Sequence, residues 1–360
     1  MFNKNETTKV KAVAILLLLF HHLFYSMDRV QKSGIKFLIS YEKLVQPVAI
    51  TSRICVWIFV FLSAYGLSYQ YKVHKDEESS MQFILKHWIS LMKTYWFCYV
   101  IILMLYILIV GNPLVVYEYN FKKVFLDFMG WSDFFHTPML TGVWWYMCFA
   151  QILIVLIPIV VAFCEKIGVA SLPIGFLLLQ YMSGGIQSIY GGKYSNYFLV
   201  VILAVICMEN QLFDMILQLR GSRLQNIGEV IMLGGGLAIL LVFKYQFKEV
   251  DQWQINSAVS ASAAFLIIVL VSKYLKGKRI TKILIFLGKY SGNIFMTHAF
   301  IYIYCSDVVY YSHNAVLSYI TLLGISLVLA VIIEKIKQII HYNEAIEKFI
   351  MQKIGNRHFK

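Results

Sequence analysis

The sequence predicts an all-α fold, a polytopic bundle of about ten transmembrane helices with both termini in the cytoplasm. Three observations predict it. The 360 residues are 59% hydrophobic and only 14% charged, with mean hydropathy +0.69, whereas a soluble domain carries about 25% charged residues. The apolar excess runs the whole length of the chain in separate stretches, most of them long enough for a span. Alternating patterns are few, and backbone groups in lipid must be satisfied within their own segment, so the stretches are helices.

In order, the apolar runs fall near 11–27, 44–70, 88–110, 143–163 and 169–186, then near 195–208, 226–243, 257–272, 283–304 and 314–333. The first run passes from Val13–Phe20 into His21 and His22 without a small-x-small cleavage site, so it is expected to stay as a span. Lys and Arg in alternate connections number 20 on one side and 9 on the other, which sets the cytoplasmic side. The net charge of +13 is thus a topology signal, and nucleic acid is not an expected partner. The stretch 111–142, with Tyr117, Tyr119, Phe121, Phe125, Phe128, Trp131, Phe134 and Phe135, is expected on the outer interface. Residues 1–335 form the membrane domain and 336–360 a basic cytoplasmic tail. The six cysteines form no C-x-x-C pair and read as buried small hydrophobes, and no His/Cys cluster has metal spacing, so no metal is expected.

Ionisable groups inside spans are costly and are functional candidates by default. In the first span Lys11 and His22 are eleven residues apart, which places them on one helix face with a rise of roughly 16 Å, while His21 is turned about 80° away. A neutral imidazole at that depth can act as a base or nucleophile; the plainer reading is an interfacial His pair closing a short span. In the second span Arg53 either snorkels outward or binds an anionic group arriving from outside. Ser63 and Gly66 there either serve close helix packing or, for Ser63, positioning. Lys86 and Lys93, seven apart at the start of the third span, are anchors that could also grip phosphates. Tyr146 opens the fourth span in an aromatic belt, and Ser291 and His298 share a face in the ninth.

Taken in order, these stretches resemble the membrane-bound acyltransferase family 3, whose members O-acylate surface glycans and related molecules. The resembling pieces are Lys11 to His22, Phe59 to Gly66, the basic cluster ahead of Tyr95-Trp96, Trp144 to Tyr146, and Ser291 to His298. Two departures stand out: Lys11 replaces the usual Arg, and Lys86, His87 and Lys93 stand where an Arg pair is usual. Lysine keeps the charge and loses the bidentate fork.

The resemblance implies an O-acyltransferase of the bacterial plasma membrane, using acetyl-CoA as donor substrate with no permanently bound cofactor. It implies Lys11 and His22 as the catalytic pair, with Lys11, Lys86 and Lys93 holding the phosphates of acyl-CoA. Lys86, Lys93, Arg53, Ser63, Tyr146 and His298 are then the substrate-binding candidates. The expected partners are acyl-CoA, a surface glycan or lipid-linked saccharide, and the lipid bilayer. The alternative is a polysaccharide polymerase, flippase or transporter of glycan intermediates. Against it stand a charge-poor interior, only Lys122 and Lys123 as bases in 111–142, and no internal repeat.

Overall fold

The computed structural model describes residues 2–182, 194–219, 221–246 and 253–355, and among them there is helix and no strand. Among the described residues seven helical stretches are long and apolar enough to cross a membrane. A bent pair, Ser195–Glu209 with Leu212–Gln218 at 64°, brings the number to eight if it crosses as one.

Two of the ten apolar runs account for the difference. The run 169–186 is helical over Ser171–Met182, separated from the preceding Trp145–Ile167 by one turn of 3-10 helix, so the two join in a single long stretch. Its residues 183–186 lie outside the described set. The run 283–304 is broken at Tyr290 into helices of 12 and 14 residues, each shorter than the roughly 20 residues a span requires. Mean hydropathy does not register the break at Tyr290, and it reads as two runs a stretch that the 3-10 turn after Ile167 keeps continuous.

The chain forms two units. The first comprises 1–73, 156–291 and 313–315. Its opening helix α1 (Lys4–Phe24) is capped by Asn3, whose side chain accepts from the Asn5 and Glu6 amides. Ser26 then caps α2 (Met27–Ser33), and Gly34, at φ 61°, ends it in the left-handed conformation that glycine adopts without penalty. The second long stretch is irregular: a π-helical turn at Tyr41–Val45, α3 (Gln46–Thr51), a 3-10 turn at Ser52–Ile54, then α4 (Cys55–His74). Such defects within a helix often mark functional positions.

The second unit comprises 74–155, 292–312 and 316–360. Its helix α5 (Ser80–Ile109) begins with a capping box between Ser79 and Gln82, eight residues before the apolar run. Next come α6 (Phe121–Phe128) and the first turns of α7 (Trp145–Ile167). Gln151 of α7 donates to the carbonyls of Met129 and Met147 and accepts from Trp88 at 2.7 Å, which ties α5, α7 and the loop after α6 together.

The remaining helices of the first unit are α8 (Ser171–Met182), α9 (Phe198–Glu209), α10 (Leu212–Gln218), α11 (Arg223–Gln246), α12 (Trp253–Tyr274) and α13 (Lys278–Lys289). In this unit α1 packs most extensively on α13, and α11 lies along α12. Phe2, Phe61, Tyr65, Phe213 and Phe265 form its aromatic core, with the Phe2 and Phe213 ring centroids 4.4 Å apart. The second unit ends with α14 (Ser291–Tyr304), α15 (Ser306–Tyr310), α16 (Ala315–Ile339) and α17 (Tyr342–Gly355). The α16 helix runs past residue 335 without a break, and α17 docks on α5 through Tyr342, which donates to the Lys93 carbonyl at 3.0 Å. Five of the six cysteines are buried and all six are free thiols.

Candidate active site

The imidazole pair closes the last turn of α1. His21 Nδ1 lies 2.7 Å from the Ala49 carbonyl of α3. A carbonyl only accepts, so Nδ1 carries the proton and Nε2 of neutral His21 keeps the lone pair. That carbonyl belongs to the turn just before the helix tightens to 3-10 at Ser52, which shifts the backbone pairing by one residue. The His21 ring stacks on Tyr25 at 4.7 Å and meets His22 edge to face at 5.1 Å. Arg29 of α2 reaches back to donate to the His22 carbonyl and lies over the Tyr25 ring at 5.6 Å. His22 therefore sits between an anchored neighbour and a backbone held by an arginine.

Around the pair the charge is positive. Arg53 is exposed on the 3-10 turn, and Arg29, Arg53 and Lys244 all act electrostatically on His21. Lys244, on the last turn of α11, is buried; its ammonium donates to Asn256 Oδ1 at 3.0 Å and Ser260 Oγ at 2.6 Å and lies 4.2 Å from the Trp57 ring centroid.

At the other end of α1, a cleft of about 590 Å³ opens between Lys4, Thr7, Tyr65, Tyr69, Gln70 and Lys72. Lys72 is paired with Glu209 and lies 3.9 Å from Glu165. Lys11 is on α1 between this cleft and the imidazoles, on an exposed face. Ser63 is half-buried on α4, the helix that lends Tyr65 to the cleft.

The second unit holds the other candidates. His298 is fully buried on α14, its Nδ1 2.9 Å from the Phe295 carbonyl and 3.1 Å from that of Ile294, so Nδ1 is the donor. Tyr146 packs on Phe295 at 5.3 Å, one ring removed from His298. Asn293, one turn before, donates to Glu334 and accepts from Lys337 at 3.2 Å, which knits α14 to α16. Lys86 pairs with Glu78 at 3.3 Å, and Lys93 with Glu347 of α17 at 2.7 Å, so each lysine already faces a carboxylate. The structure thus gathers His21, His22, Arg53 and Lys244 in the first unit, and Tyr146 with His298 in the second.

Sequence reasoning passed over Arg29, Lys244 and Asp127. Lys244 reads as a loop cation after an apolar run, because nothing local shows that Asn256 and Ser260 fold back to it. Asp127 is hidden among the aromatics of 111–142. Its carboxylate is buried; Oδ2 accepts from Tyr117 at 2.7 Å and the Leu140 amide at 2.9 Å, and its backbone carbonyl accepts from Tyr95 at 2.6 Å. Burial pushes the carboxyl up to about 7, against the opposing pull of those donors.

A stability effect follows, with its sign. From the ordinary value of 3.8 up to about 7 the unfolded chain releases this proton before the folded one does. Stability from Asp127 is therefore greatest at low pH and is lost as pH rises through that window. Melting of detergent-solubilised protein between pH 4 and 8 is expected to show a decline that Asp127→Asn removes; an identical slope in the variant would refute the assignment.

Membrane-length helices around an anchored imidazole pair define a multi-pass membrane protein with a candidate general base. The family model described as an acyltransferase domain matches residues 10–335, nearly the whole chain, so the protein belongs to acyltransferase family 3 and is an acyltransferase. No curated protein and no solved structure matches it.

Proposed function

We propose that the protein is an O-acetyltransferase that moves an acetyl group from cytoplasmic acetyl-CoA to a hydroxyl of an extracytoplasmic or lipid-linked surface glycan. In this reading it sits in a bacterial plasma membrane with both termini in the cytoplasm and about ten crossings, the runs 169–186 and 283–304 each counted as one. The observation that carries the reading is the layout of α1, with an open cleft beside its first turns and a braced imidazole pair on its last. The roughly 16 Å rise from Lys11 to His22 suits a slender pantetheine arm better than a sugar.

The chemistry is a balanced acyl transfer. His22 takes the proton of the glycan hydroxyl, and the oxygen attacks the thioester carbonyl. As the tetrahedral adduct collapses the C–S bond breaks, and the imidazolium returns its proton to the departing thiolate. Lys11 supplies positive charge along the donor's path. Lys4 and Lys72 at the cleft are candidate holders of the phosphates within the first unit; Lys86 and Lys93 remain phosphate candidates, and Tyr146, His298 and Ser63 positioning candidates, on the sequence reading.

Alkali-labile acetate on surface glycans tests this directly in cells with and without the protein. Loss of acetate in the deletion is expected, together with transfer of label from acetyl-CoA in membrane vesicles. Unchanged acetate in the deletion would overturn surface-glycan acetylation and turn attention to glycan length and export.

A further inference from the structure

Among the described residues four lysines are buried: Lys9, Lys244, Lys273 and Lys337. Three of them face a carboxylate, Lys9 that of Glu6 at 2.8 Å, Lys273 that of Glu229 at 2.7 Å and Lys337 that of Glu334 at 3.7 Å. Among the described residues Lys244 faces none. Asn256, Ser260 and the Trp57 ring satisfy its donors with neutral dipoles and a π face, and no carboxylate among the described residues compensates its charge. An unpaired ammonium inside an apolar bundle is expensive. A second cation, Arg53, acts on it and on the same imidazole, also with no carboxylate partner among the described residues. Arg53 is exposed and Lys244 is buried over the ring of Trp57, four residues further along the same helical stretch, so the guanidinium fork is the cation open to an arriving group.

We infer that Arg53 and Lys244 form a subsite for an oxyanion, a carboxylate or a phosphate, carried by the acceptor beside the hydroxyl that is acylated. The inference rests on the acyl-transfer reading of the His21–His22 site and narrows its acceptor to the anionic class. An anion held there offsets both charges and places the neighbouring hydroxyl near the imidazoles. A neutral sugar would leave the charge of both cations without an offset.

The test uses the full chain in detergent and three small probes: methyl glucuronide, glucose 6-phosphate and, as neutral control, methyl glucoside. Melting temperature reads binding, and transfer from labelled acetyl-CoA reads activity. At millimolar concentration at least one anionic probe is expected to raise the melting temperature, and methyl glucoside is not. The stronger of the two identifies carboxylate or phosphate as the recognised group. Lys244→Met is expected to abolish the shift, Arg53→Gln to weaken it at least tenfold in midpoint concentration, and Lys244→Arg to preserve it. No shift with either anion overturns the subsite, as does an unchanged shift in Lys244→Met. The two readings fail separately: transfer to neutral acceptors without anion binding leaves the acetyltransferase standing, and Lys244-dependent binding with no donor consumption leaves only the subsite.

Discussion

Replacing His22 by alanine is expected to lower acetyl transfer by about 10²–10⁴-fold, the usual contribution of a positioned general base, with the protein still present and folded. His22 shares a face of α1 with Lys11, its backbone carbonyl is held by Arg29, and its ring abuts an imidazole whose own Nδ1 is tied to Ala49. In the proposed mechanism the base acts on the hydroxyl in the transition state, so the loss should appear in kcat and leave KM for the donor close to wild type. His21→Ala removes the Ala49 hydrogen bond and the stack on Tyr25, so it should lower the melting temperature and reduce kcat about tenfold through misplacement of its neighbour. The reverse order, with His21→Ala inactive and His22→Ala active, would transfer the role of base to His21. Both variants must be compared at matched membrane abundance.

The second large effect is expected at Gly288, a residue with no side chain to offer the chemistry. A methyl group there would sit on the Thr8 carbonyl oxygen, 2.8 Å from both the carbonyl carbon and Cγ2 of Thr8, where α13 meets α1. No real Cβ tolerates such an approach, and backbone on both sides leaves nothing to rotate away. Gly288→Ala should therefore cost about 1–3 kcal/mol of stability or more and depress activity, since α1 carries both Lys11 and His22. Truncating the side chain in Gly288→Ala with Thr8→Ala should rescue little, because the main clash is with the main chain. Gly292→Ala, whose Cβ would meet nothing within 4 Å, is the control and should be neutral or stabilising, since alanine favours helix over glycine by about 1 kcal/mol. A Gly288→Ala protein that melts with the wild type would show that α1 and α13 are further apart than described.

Much of this was legible in the chain alone. Helix formation in lipid is dictated by local apolar content, so the all-helical membrane class follows from hydropathy summed over short windows. The spacing of Lys11 and His22 places them on one face of any continuous helix, and α1 is continuous. The ordered motifs point to the acyltransferase family that the domain match then shows. The break at Tyr290 was not legible, because a one-residue interruption barely alters mean hydropathy, and neither was the 3-10 turn at Gly168 that keeps as one stretch two runs the sequence reads apart.

The partners of the charged residues were decided only in three dimensions. Lys86 and Lys93 carry the spacing of a phosphate grip, yet Glu78 and Glu347 come to them from eight and 254 residues away. Asp127 looks like an interfacial carboxylate until Tyr117, Tyr95 and the Leu140 amide close over it. Lys244 looks like a loop cation until α12 brings Asn256 and Ser260 beneath it and α4 brings Trp57. The sequence by itself determined the solvent this protein folds in, the helices it folds into and the family chemistry they carry. Those depend on properties each segment has alone. Which charges are neutralised and which remain to meet a substrate depended on the tertiary structure, because burial and compensation belong to pairs of residues that only packing brings together.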